Sequence, residues 1–131
     1  MNQLSQTLTD ALTLLGCDPA RFDFDTHSAV VMQFADVGEL ILEPDEQYPS
    51  LWSRLDTSPQ QRFNHRAEDL LALLSEPVGF MANGCLALRQ LEDVCAVGGV
   101  LHADCVSSGM HLAEALQNFY TRVGQMQAML R

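Results

Sequence analysis

The sequence predicts an α+β fold in the order helix, three strands, helix, two strands, helix, with a largely antiparallel sheet packed with helices. Three observations point there. Apolar residues recur with a 3.6-residue period near both ends and in the middle of the chain. Between those stripes lie β-forming runs at 28–55 and 85–102. The strands arrive in groups joined by short turns and do not alternate with helices, which favours antiparallel pairing over a parallel α/β sheet. At 131 residues the length fits one domain spanning residues 1–131, large enough to bury a core without staples.

The first helix is read from Leu4, Leu8, Ala11, Leu12 and Leu15, one stripe ended by Gly16 and kept from resuming by Pro19. Ser28–Phe34 is a first strand. Gly38–Glu43 alternates Leu40 and Leu42 against Glu39, Ile41 and Glu43, with a turn over 36–38 between the two strands. A third strand runs through Leu51–Leu55, with Pro49 at its start, where a missing N–H is tolerated. Ser58, Pro59 and Gln61 form a capping signal for the second helix, whose stripe is Phe63, Ala67, Leu70, Leu71 and Leu74; Pro77 and Gly79 stop it. Cys85–Glu92 and Val94–His102 read as two further strands, and Gly98-Gly99 marks a bulge or a close backbone approach. The last helix starts near Ser108 and carries Leu112, Leu116, Phe119, Val123, Met126 and Leu130.

Charge narrows the function. Seventeen acidic residues face seven basic ones, all arginine, for a net charge of −10, while 47% of the chain is hydrophobic. Such a surface repels nucleic acid and anionic membrane, and the apolar excess supplies a core with patches to spare for a partner. The longest non-polar run, Val94–Leu101, is too short to span a bilayer. Met1–Gly16 lacks a basic region and holds Asp10 within its apolar stretch, unlike an export signal. A soluble, cytoplasmic protein with Cys17, Cys85, Cys95 and Cys105 as free thiols is expected.

Candidate chemistry is thin. His102, Asp104, Cys105 and His111 are ligand types within ten positions, but their spacing matches no zinc signature. Cys105 beside His102 or His27 is a conceivable nucleophile, yet acidic surroundings disfavour its thiolate. The acidic pairs, such as Asp23 with Asp25 and Glu68 with Asp69, read as solvated surface, and Gly98-Gly99 is no phosphate cradle. No catalytic residue, metal or cofactor is assigned.

What remains is apolar surface. A five-stranded sheet with helices on one side leaves its other side partly open, a receptor for an extended peptide. The face expected to be open is led by Leu40, Leu42, Leu86 and Leu88, with Trp52 on the third strand. In the second helix, Leu70, Leu73 and Leu74 occupy more than one stripe; they are core with a stray exposed leucine, or core plus a contact with a second subunit. The competing function is a non-catalytic structural or adaptor subunit of a fixed oligomer.

The element order, size and low pI, with several short stretches, resemble the class I chaperones of bacterial type III secretion. Those stretches are 14–19 (Leu-Leu-Gly-Cys-Asp-Pro), 25–28 (Asp-Thr-His-Ser), 116–120 (Leu-Gln-Asn-Phe-Tyr) and the ending Met129-Leu130-Arg131. They are similar to the InvB/SpaK group of multi-effector (class IB) chaperones; residues 43–50 and the second helix depart most. The resemblance implies a non-enzymatic, cytoplasmic homodimer without a cofactor or ATP site. It would bind the N-terminal segments of secreted effectors in extended form, keep them soluble and bring them to the export apparatus and its ATPase. The family's contacts are patches and not a motif, so the sheet face named above is the expected place of effector contacts on this chain's own residues, and the second helix the expected dimer interface.

Overall fold

The computed structural model describes residues 3–17, 29–34, 38–45, 48–55, 68–90 and 95–130. Its elements are helix α1 (Gln3–Leu14), strands β1 (Val30–Phe34), β2 (Gly38–Glu43) and β3 (Ser50–Leu55), a helical stretch α2 over 68–75, strands β4 (Ala87–Gln90) and β5 (Cys95–Val100), a short helix α3 (Ala103–Ser107) and the long helix α4 (Gly109–Leu130). The α+β fold and the antiparallel sheet are as expected. The capping signal at Ser58–Gln61, with Phe63 and Ala67, lies outside the described residues, as do turn positions 36 and 37.

All pairings are antiparallel, in the order β1-β2-β3-β5-β4. The second hairpin therefore inserts β5 beside β3 and leaves β4 and β1 as the two edges. The register sets two faces. Leu42 stands opposite Val30 and Leu51, Leu40 opposite Met32 and Ser53, and Val97 opposite Ser53 and Leu88. These residues share one face. Helix α4 packs on β3 at the centre of the sheet, and α1 and α3 pack on α4. One buried cluster joins Leu8 and Leu12 of α1, Leu112, Leu116, Phe119, Val123 and Met126 of α4, and Met32, Leu40, Leu42, Leu51, Leu55 and Val97 of the sheet. Burying such side chains contributes roughly 1.5–3 kcal/mol each.

Local chemistry explains the ends. Helix α1 stops in a Schellman arrangement: Cys17 N donates to Leu12 O (2.8 Å), Gly16 N donates to Thr13 O (3.1 Å), and Gly16 takes φ 84°. The last helix begins where expected, and a short helix, α3, that the sequence pattern did not predict precedes it. His102 caps α3, its ring Nδ1 accepting from Asp104 N at 3.1 Å. Ser108 then leaves helical geometry (φ −135°, ψ 121°), and its Oγ accepts from His111 N at 3.3 Å, opening α4. The buried polar groups on the covered side are paired: Ser53 Oγ donates to Glu39 O (2.7 Å) and Gln127 Nε2 to Arg54 O (3.2 Å).

Candidate functional site: the uncovered sheet face

Strand alternation sends the other half of the sheet's residues away from α4. Val31, Ile41, Trp52, Gly98 and Ala87 stand opposite one another in register and form a row across all five strands. The row beside it holds Arg54, Ala96 and Arg89, and beyond the other side lie Glu43, Ser50 and Val100. Val31 is 45% exposed, Ile41 and Trp52 are half-buried, and none of the three belongs to the core cluster. Among the described residues this face has an apolar centre with charge around it.

A connected polar chain crosses the middle of the face. Trp52 Nε1 donates to Ser50 Oγ (2.9 Å), and Ser50 Oγ donates to Glu43 Oε1 (3.3 Å). Arg89 reaches across from edge strand β4, places its guanidinium carbon 4.0 Å from the Trp52 ring centre, and donates from both Nη atoms to the two Glu43 oxygens at 3.3 Å. The β5 residues it crosses on this face, Ala96 and Gly98, are too small to block it.

The face expected to be open is the one that the helices cover among the described residues. Leu40 and Leu42 are each 1% exposed and Leu86 is 4% exposed, all three within the core cluster. Leu88 shares their face but lies on the edge strand and stays 40% exposed. Trp52 is the one residue of the expected set that points to the uncovered side. The expectation failed because β2 carries apolar residues on both faces, and only the helices decide which set is covered. Beside Trp52 this face carries Val31, Ile41 and Arg89; the sequence signal for Ile41 was its place between Glu39 and Glu43.

In α2, Leu70 is buried at 4% and joins the core, Leu73 and Leu74 pack partly against it, and Leu71 is 62% exposed. Leu70 is thus committed to its own chain, and the outward leucine of the helix is Leu71.

The ligand-type residues near the last helix do come together. His102, Asp104, Cys105, His111 and Glu114 line a cleft of about 230 Å³ with Phe80 and Asn118. Among the described residues, no group of three or more His, Cys, Asp or Glu is placed to hold a metal ion. The Cys105 thiol is 3% exposed and faces Phe80 O at 3.8 Å. Burial pushes its pKa up to about 11, and the charges of Asp104 and Glu114 add to the rise. A thiol so held is a poor nucleophile at neutral pH.

Two results follow. At pH 8, Cys17 and Cys85, which are exposed, should react rapidly with a disulfide reagent, and buried Cys95 and Cys105 only on unfolding; four fast thiols would contradict this burial. The folded-state pKa of Cys105 also stands above its ordinary 9.0. Its contribution to stability is therefore intact below about pH 9 and lost as pH rises towards 11. The loss amounts to about 2–3 kcal/mol, and urea titrations of Cys105→Ala against the parent across that window should show it missing from the variant.

No described helix is long and apolar enough to cross a membrane. The invasion protein B family model matches residues 16–92, more than half of the chain. That stretch runs from the end of α1 through all of β1–β4, so it includes Val31, Ile41, Trp52 and Arg89 of the uncovered face. By this match the chain belongs to the invasion protein B family, the InvB/SpaK-like chaperones of type III secretion, a family of chaperones and generally not of catalysts.

Proposed function

We propose that this chaperone works in the bacterial cytoplasm and holds the N-terminal segments of secreted effectors on its uncovered sheet face. The observation that carries the reading is the row Val31–Ile41–Trp52, apolar and outside the core, which begins on edge strand β1. Residues on an extended segment alternate as strand residues do, so every second side chain can meet this row. The outer edge of β1 offers backbone groups to the same segment. Ordering a disordered chain costs entropy, so dispersed apolar contacts must add up before affinity is useful. The net charge of −10 favours encounter with neutral or basic segments and keeps the carrier soluble.

The working unit in this reading is a homodimer, with α2 at the interface through Leu71 and the half-buried Leu73 and Leu74. Release occurs at the export apparatus and its ATPase. Co-expression with the N-terminal segment of an effector, followed by size exclusion and light scattering, tests both parts. A soluble complex containing two chaperone copies is expected. A monomer at micromolar concentration that leaves the segment insoluble overturns the reading, and an oligomer whose own copies already cover Val31, Ile41 and Trp52 favours a fixed structural subunit.

A further inference from the structure

We propose that Arg89 is a latch on the uncovered face and sets which segments gain access to Trp52. The inference rests on the reading that this face receives an extended segment. In the free protein the guanidinium lies against the Trp52 ring at 4.0 Å and is pinned by Glu43. Both bonds to Glu43 are long, at 3.3 Å, and the two side chains are 38% and 42% exposed. A charge pair that exposed is weak and screened by salt. Nε of Arg89 is shielded from solvent and meets no acceptor among the described residues. An unpaired buried donor is costly, so the closed position is held loosely.

The path beneath the arm is clear because Gly98 puts no side chain between Trp52 and Ala87, and Ala96 contributes only a methyl. When Arg89 swings away, the vacated space is an apolar trough floored by Gly98 and walled by Trp52. Its occupant is an apolar side chain of the incoming segment, which takes the place of the guanidinium against the indole. A segment without a large apolar residue at that point gains nothing from opening the latch, and this is where selectivity arises.

Trp52 is the chain's one tryptophan, so its fluorescence reads the latch directly. Arg89→Ala should raise acrylamide quenching of Trp52 in the free protein, with the far-ultraviolet circular dichroism unchanged. Glu43→Gln, which unpins the arm but keeps it, should fall between the two. Removing the latch should tighten binding of an effector N-terminal segment roughly 3- to 30-fold, the combined worth of one exposed cation–π contact and one surface ion pair. Unchanged quenching in both variants overturns the proposal, and so does weaker binding by Arg89→Ala, which would make the arginine a direct contact. If Trp52 becomes accessible as expected but neither protein binds any segment, the latch stands and the effector-binding reading falls.

Discussion

Leu42→Asp should unfold this protein, while Ile41→Asp, one position away on the same strand, should leave it folded and, on the proposed reading, remove segment binding. Leu42 is 1% exposed and lies between Val30 and Leu51 on the face under the helices. A carboxylate there must lose its water or force the sheet away from α4. Losing the leucine's own burial adds to that, for a total of roughly 4 kcal/mol or more. Domains of this size are stable by about 5–15 kcal/mol, so the variant should be largely insoluble or melt far below the parent. Ile41 is half-buried beside Val31 and Trp52, with no core contact to lose. Its replacement costs about 1 kcal/mol in strand preference and cross-strand packing. Circular dichroism with urea denaturation reads the first effect, and retention of a tagged effector segment reads the second. A folded Leu42→Asp protein would mean that the faces are reversed.

That contrast also marks what the sequence could disclose. The stripe Leu4–Leu8–Leu12 and the run from Leu112 to Met126 have one apolar face each, and both helices stand as expected. The alternation in β2 fixed which residues share a face but not which face is covered. Period-2 patterns are symmetric, and Leu40, Ile41 and Leu42 are all apolar. Only the partner resolves it, and here the partner is α4, more than sixty residues later in the chain. The Arg89–Trp52–Glu43 cluster was hidden for the same reason: it joins β2, β3 and β4, and β4 comes within reach only through the β4–β5 hairpin. Ser108 marks the start of the last helix in the sequence and caps it in the structure, whereas the five-residue α3 before it is too short to show a periodic stripe, and its cap is a histidine.

The second large effect is expected at Gly98, where even alanine should destabilise the sheet. The glycine pair predicts a bulge or a close approach, and the approach is what Gly98 makes. A Cβ at this position would collide with Leu51 O and fall 2.9 Å from both Leu51 C and Trp52 Cα. All three are backbone atoms of β3, so no side chain can turn aside. Strand β5 would have to move off β3 along the six-residue pairing that runs from Ser50↔Val100 to Leu55↔Cys95, the contact that ties the second hairpin to the first. The expected cost is roughly 3 kcal/mol or more for Gly98→Ala, at or beyond the upper end of ordinary overpacking because the backbone itself must shift. Gly79→Ala is the matched control, since nothing lies within 4 Å of its added Cβ, and it should change stability by less than about 0.5 kcal/mol. Denaturation midpoints of the two variants provide the measurement, and equal midpoints would refute the close approach. The Cα of Trp52 is among the atoms that must move, so any folded Gly98→Ala protein should also show altered Trp52 quenching. Closure of the sheet thus depends on one missing methyl group.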